Sequence, residues 1–192
     1  IVELAGESMS SIFKDTIENL KNETGVLYIY NKNKKLIYID YSKDIKNKVV
    51  KLFTSKKFIP KYVQNNFKSI KVHSTGNYSI SIIKTLNEIN PKINNNIDPK
   101  IFQKTDKPFI VAELKDFIIT FNGKKESDKS FIFFKNEELV GYGYFNLFNN
   151  INNQEKLYSR VVKIENSAKV INYVYRIISQ KKYKKLLTLS EI

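Results

Sequence analysis

The chain has 192 residues, of which 42% are hydrophobic and 13% aromatic, enough apolar material to bury one core or two small ones and to exclude wholesale disorder. It has no cysteine, which excludes a disulfide framework and any thiolate metal site, and no apolar run approaching the roughly 20 residues that cross a bilayer. A formal charge of +14, carried by lysine at every basic position except Arg160 and Arg176, favours a polyanionic partner and diffuse phosphate contact over bidentate base reading.

The first residues, IVELAGESMSS, lack the basic and apolar regions of a signal peptide and carry no initiator Met. They fit a piece of a longer, cytoplasmic protein. A short helix is expected over Ser10–Leu20. GVLYIY (Gly25–Tyr30), the polar turn Asn31–Lys35 and LIYID (Leu36–Asp40) form a hairpin signal. After Ser42, a plausible N-cap, the residues Ile45, Val49, Leu52 and Phe53 fall at helical spacing. A second helix is expected over Pro60–Phe67 with the proline at its start. Ser69–His73 alternates as a third strand, Gly76 breaks it, and Tyr78–Glu88 returns to a helical pattern through Ile82, Ile83 and Leu86.

The polar stretch NPKINNNIDP, with two prolines, suits a boundary, and the break is placed near residue 97, giving domains 1–96 and 97–192. The second half reads mainly as strands: PFIVAEL (Pro108–Leu114), DFIITF (Asp116–Phe121), SFIFF (Ser130–Phe134) and LVGYGYF (Leu139–Phe145). The last two form a hairpin around KNEE. An Asn-rich loop follows. A helix then begins near Asn166 or Ser167 and runs through Val170, Val174, Ile177 and Ile178, and LLTL closes the chain as an edge strand.

Between Asp44 and Glu88 the chain has no acidic residue and nine lysines. Lys43, Lys46, Lys51, Lys56, Lys57 and Lys61 are the candidate phosphate contacts, with Tyr38 and Tyr41 as candidate stacking rings. A plain solvated helix face accounts for the same lysines. His73 stands alone at a strand end, Gly141 and Gly143 suit a bulge or close packing, and Lys181, Lys182, Lys184 and Lys185 suit either phosphate or a helix C-terminus.

Residues 24–53, TGVLYIYNKNKKLIYIDYSKDIKNKVVKLF, resemble the core of the GIY-YIG nuclease family, and TGNYSISIIKTLNEINPKIN (75–94) resembles the helix and closing segment of that fold. The whole chain looks similar to the GIY-YIG and C-terminal regions of bacterial DNA polymerase III epsilon-like exonuclease fusions, with residues 128–145 as the hairpin of the later region. The resemblance implies an α+β fold: a small antiparallel sheet flanked by helices, then a second small α+β domain rich in antiparallel strands. It also implies an upstream exonuclease domain, or another protein partner, and a role in DNA replication or repair, with DNA favoured over RNA.

The family's chemistry uses a tyrosine in each strand motif, an arginine on the next helix, a metal-binding glutamate on a later helix and a closing asparagine. Those positions fall on Leu27, Tyr38, Lys48, Ile82 or Thr85, and Asn94, while the glycine after the second tyrosine is Asp40. Tyr38, Lys48 and Asn94 are thus the catalytic remnants, and Tyr38 fits a packing aromatic equally well. Tyr28, one place beyond Leu27, belongs on the opposite strand face. Without a carboxylate to seat a hard cation, no cofactor is expected; Mg²⁺ would enter only if Asp40 or Glu88 replaced the lost glutamate. The expectation is a module that binds nucleic acid rather than cutting it, with a protein-docking role and a rearranged nuclease as the alternatives.

Overall fold

The computed structural model describes residues 14–55, 59–146 and 153–192. It is an α+β protein with two small sheets flanked by helices, and it divides into two compact units, Ile1–Ile97 and Asp98–Ile192.

The first unit is built on a four-stranded sheet of order β3-β1-β2-β4. Residues 14–19 form helix α1; the expected helix residues 10–13 lie outside the described residues. Strands β1 (Gly25–Asn31) and β2 (Leu36–Ser42) make the expected hairpin, with Leu27 opposite Asp40 and Ile29 opposite Tyr38. The turn closes because the Asn31 side-chain oxygen accepts from the amides of Asn33 and Lys35, at 3.0 Å each. Helix α2 (Ile45–Thr54) buries Ile45, Val49, Leu52 and Phe53, the four residues its periodicity singles out.

Its cap is Asp44 rather than Ser42: the carboxylate accepts from the Asn47 amide at 3.0 Å, while Ser42 braces the Asp44 backbone. Replacing Asp44 by alanine is expected to cost about 1 kcal/mol in urea denaturation, and asparagine to restore most of it. Helix α3 (Lys61–Asn66) starts behind Pro60, and edge strand β3 (Phe67–Ser74) returns alongside β1. Helix α4 (Tyr78–Glu88) is capped by Asn77, and the two-residue strand β4 (Asn94–Asn95) runs parallel to β2.

Strand alternation sorts the core into two layers. Leu27, Ile29 and Tyr38 join the α2 residues in one cluster, with Ile59, Val63 and Phe67 beneath α3 and β3. Val26, Tyr28 and Ile39 form the other, against Ile89 and Ile93 after α4. Leu27 and Tyr28 therefore lie on opposite faces, as their adjacency requires.

The second unit is a five-stranded antiparallel sheet, β8-β7-β6-β5-β9. PFIVAEL is not a strand: helix α5 occupies Phe109–Leu114, started by Pro108 at its N-cap. Six residues are too few for periodicity to separate a buried strand from a helix, and the proline's fixed φ favours a helix start. Strands β5 (Phe117–Asn122), β6 (Asp128–Lys135) and β7 (Glu138–Asn146) form the central meander, with Phe117 and Phe134 stacked at 4.8 Å.

Helix α6 (Gln154–Arg160) and strand β8 (Val162–Lys163) lie between the expected Asn-rich loop and the last helix, where the sequence suggested no element. Gly141 and Gly143 admit that segment: a Cβ at Gly141 would stand 2.1 Å from the Val162 carbonyl oxygen, and one at Gly143 2.5 Å from that of Arg160. Helix α7 (Ala168–Ser179) begins behind Ser167 and buries Val170, Tyr173, Val174, Ile177 and Ile178; strand β9 (Lys185–Thr188) closes the sheet beside β5. Arg176 of α7 pins the turn at Pro99–Phe102 and its flank, donating to the carbonyls of Lys100 (2.6 Å) and Gln103 (2.7 Å).

Candidate nucleic-acid interface

Tyr38 and Asp40 are two residues apart on β2, so their side chains share the face that α2 covers. Tyr38 has no exposed surface and Asp40 only 1%. The Tyr38 hydroxyl donates to Asp40 Oδ2 at 2.8 Å, and the Tyr41 amide donates to Oδ1 at 2.8 Å. Lys48, one helical turn into α2, sets its Nζ 3.0 Å from the same Oδ2. Three positions that bear on the family resemblance are thus one closed network. Asn94 lies beside it, paired with Tyr38 in the β2–β4 ladder, and its Nδ2 donates to the Ile37 carbonyl at 3.1 Å. Its side chain ties a strand to its neighbour.

This arrangement does little chemistry. Burial, reinforced by the Asp40 carboxylate, holds the Tyr38 phenol far above the ordinary tyrosine value, so it remains a hydrogen-bond donor and not a base. Both Asp40 oxygens are engaged, one by an amide and the other by a hydroxyl and an ammonium. The Lys48 charge is neutralised where the family pattern directs a cation at phosphate.

A metal fares no better. Ile82 and Thr85, the two positions for the missing glutamate, are buried, and Thr85 donates its hydroxyl back to Ser81 O at 2.9 Å. Glu88 is paired with Lys84 at 2.8 Å. Among the described residues no group of three His, Asp or Glu side chains converges. These residues do not fit a divalent cation.

The raised phenol has a measurable consequence. A tyrosine whose folded pKa exceeds its unfolded one lends stability that is intact below the unfolded value and lost as pH rises past it. The first unit should therefore weaken from about pH 10 upward. Absorbance near 295 nm (about where phenolate absorbs) should report Tyr38 ionising only as the unit unfolds, and Tyr38→Phe should remove that part of the alkaline loss. Tyr144 of β7, also raised chiefly by burial, adds a parallel loss in the second unit.

The candidate phosphate contacts divide. Lys43, Lys51 and Lys61 are exposed and Lys46 half-buried, whereas Lys56 and Lys57 lie outside the described residues. Tyr41 is 8% exposed, packed edge-on against Tyr78 with ring centroids 5.4 Å apart. Neither Tyr41 nor Tyr38 has a ring face to offer a base, which corrects the expectation that they stack.

Two tyrosines the sequence reading passed over are exposed instead: Tyr78 at 38%, with Lys43 Nζ 5.0 Å from its ring centroid, and Tyr62 at 53%. Both lie in the first turn of their helices, and Tyr78 falls off the apolar Ile80, Ile83, Leu86 stripe of α4. That offset was the available signal. Lys68 and Lys71 on β3 are exposed as well. Compared with protein-family models, with curated proteins and with solved structures, the chain matches none.

Proposed function

We propose that the first unit is a catalytically silent, GIY-YIG-like nucleic-acid-binding module, with DNA preferred to RNA, belonging to a longer replication or repair protein of the exonuclease type. The observation that carries this reading is the closed Tyr38–Asp40–Lys48 network, joined through Lys48 to residues 45–87, which hold nine lysines and no acid. The network leaves no free base or metal carboxylate where a nuclease of this pattern needs them. Lys43, Lys46, Lys51, Lys61, Lys68 and Lys71 all reach solvent, where ammonium groups serve phosphate without reading sequence. The exposed Tyr62 and Tyr78 rings add sequence-tolerant stacking.

Such binding depends on counterion release. Fluorescence anisotropy of a labelled single-stranded oligonucleotide should give a log–log salt slope of roughly −0.7 per phosphate contacted, with little dependence on base sequence. A slope near zero between low and physiological salt would refute the proposal. Phe109, 80% exposed on α5, is the observation that favours a protein-docking reading of the second unit instead. A stoichiometric protein partner retained at high salt would support that alternative.

A further inference from the structure

The second unit carries a pocket of its own. It lies against α7 and the tip of the β6–β7 hairpin and has a volume of about 260 Å³. Phe134 and Leu139, both almost fully buried, and Ile171 of α7 give it an apolar lining, and Lys107, Glu137 and Glu138 supply its charge. Tyr175 and Asn166 contribute neutral polar groups. The volume falls below the range of nucleotide and drug-sized sites and suits a ligand the size of one amino-acid side chain.

The backbone around the pocket is strained. Lys115, which caps α5, has φ 61° and ψ −51°, and the Asp116 amide reaches back to the Leu114 carbonyl at 2.6 Å in a tight three-residue turn. At the hairpin tip Asn136 and Glu137 both have positive φ, 50° and 66°. Asparagine tolerates that region; glutamate rarely adopts it. The two strained segments are bonded together: the Asn136 amide donates to Asp116 Oδ1 at 2.7 Å, and the Glu137 amide to the Lys115 carbonyl at 3.0 Å. This bracing fixes where the Glu137 carboxylate stands, and it stands 2.5 Å from Lys107 Nζ. Strain held in this way gathers at binding sites, because it pre-organises them.

Charge then selects the ligand. Lys107 and Glu137 neutralise each other, each drawn toward its charged form by the hydrogen bond between them. The lining carboxylate outside that ion pair is Glu138, in a pocket that also holds Tyr175 and the apolar residues and in a chain whose net charge is +14. We propose that this pocket binds a short alkylammonium ion, its stem on Phe134, Leu139 and Ile171 and its ammonium on the Glu138 carboxylate. The ammonium can come from a free amine or from the side chain of a lysine.

The test is an amide-resolved NMR titration of the whole chain with n-butylammonium, N-acetyl-lysinamide and butyrate. Saturable shifts at Leu139, Ile171 and Tyr175 with n-butylammonium, millimolar in affinity for so small a ligand, are expected, with none from butyrate. Glu138→Gln, at an exposed position whose own spectrum reports its fold, should weaken binding about tenfold or more. Equal or tighter binding of N-acetyl-lysinamide assigns the source to a lysine side chain; binding of n-butylammonium alone assigns it to a free amine. Absence of saturable shifts with n-butylammonium, unchanged affinity in Glu138→Gln, or butyrate binding as tightly would each overturn the proposal.

Discussion

Replacing Asp40 by alanine is expected to lower the stability of the first unit by about 2–4 kcal/mol. The carboxylate is the acceptor for three donors, and their environments set what its loss costs. The Tyr38 hydroxyl has no route to water, so without Asp40 it is a buried donor with no partner, the largest part of the effect. The Lys48 side chain keeps 26% of its surface in solvent and can turn outward, so its share is small. The Tyr41 amide lies between these cases. Asp40→Asn keeps an acceptor and should cost less than alanine, whereas Tyr38→Phe deletes the stranded donor and should cost about 1 kcal/mol. The double change Tyr38→Phe with Asp40→Ala should then lose clearly less than the sum of the two single losses. Chemical denaturation of the four proteins measures this, and strict additivity would mean that the hydroxyl and the carboxylate do not depend on each other.

The second large effect concerns binding. Lys43, Lys46 and Lys51 lie on α2 and the turn before it, reach solvent, and are not needed by the core. Changing all three to alanine should weaken oligonucleotide binding at low salt by about 10–100-fold and reduce the magnitude of the salt slope by roughly 2–3. The thermal transition should hardly move. Lys48→Ala belongs to a different class: its ammonium is committed to Asp40, so stability should fall while the salt slope holds. Triple-variant binding equal to wild type at every salt concentration would place the nucleic-acid contact elsewhere. The contrast between the two variants separates a charged surface from a buried charge.

The first unit was largely legible in the sequence because its elements carry strong periods. Ile45, Val49, Leu52 and Phe53 could face a core only on a helix, and the runs around Asn31–Lys35 could pair only as a hairpin. Those patterns agree with the α+β class that the resemblance implied. In the second unit, PFIVAEL was too short for its period to count against the helix that Pro108 starts. Helix α6 was hidden in polar sequence, where Asn153 caps it and Leu157 alone is buried.

The site was harder to read than the fold. Strand spacing placed Tyr38 and Asp40 on one face, but the pairing of Asp40 with Lys48 depends on how α2 crosses the sheet, which no local pattern encodes. Burial misled in the same way for Tyr41, whose ring is covered by Tyr78 from a helix 37 positions later in the chain. The pocket of the second unit assembles α7, the hairpin tip and the segment before α5, and nothing in any one of these marks it.

The central claim is that the first unit holds nucleic acid without cutting it, and one gel experiment addresses both halves. An end-labelled oligonucleotide is incubated at low salt with excess protein and Mg²⁺ or Mn²⁺, then run on native and denaturing gels. The expected result is a retarded band on the native gel and a full-length strand on the denaturing one. A shortened strand that depends on the metal, or no retardation at any protein concentration, would contradict the account.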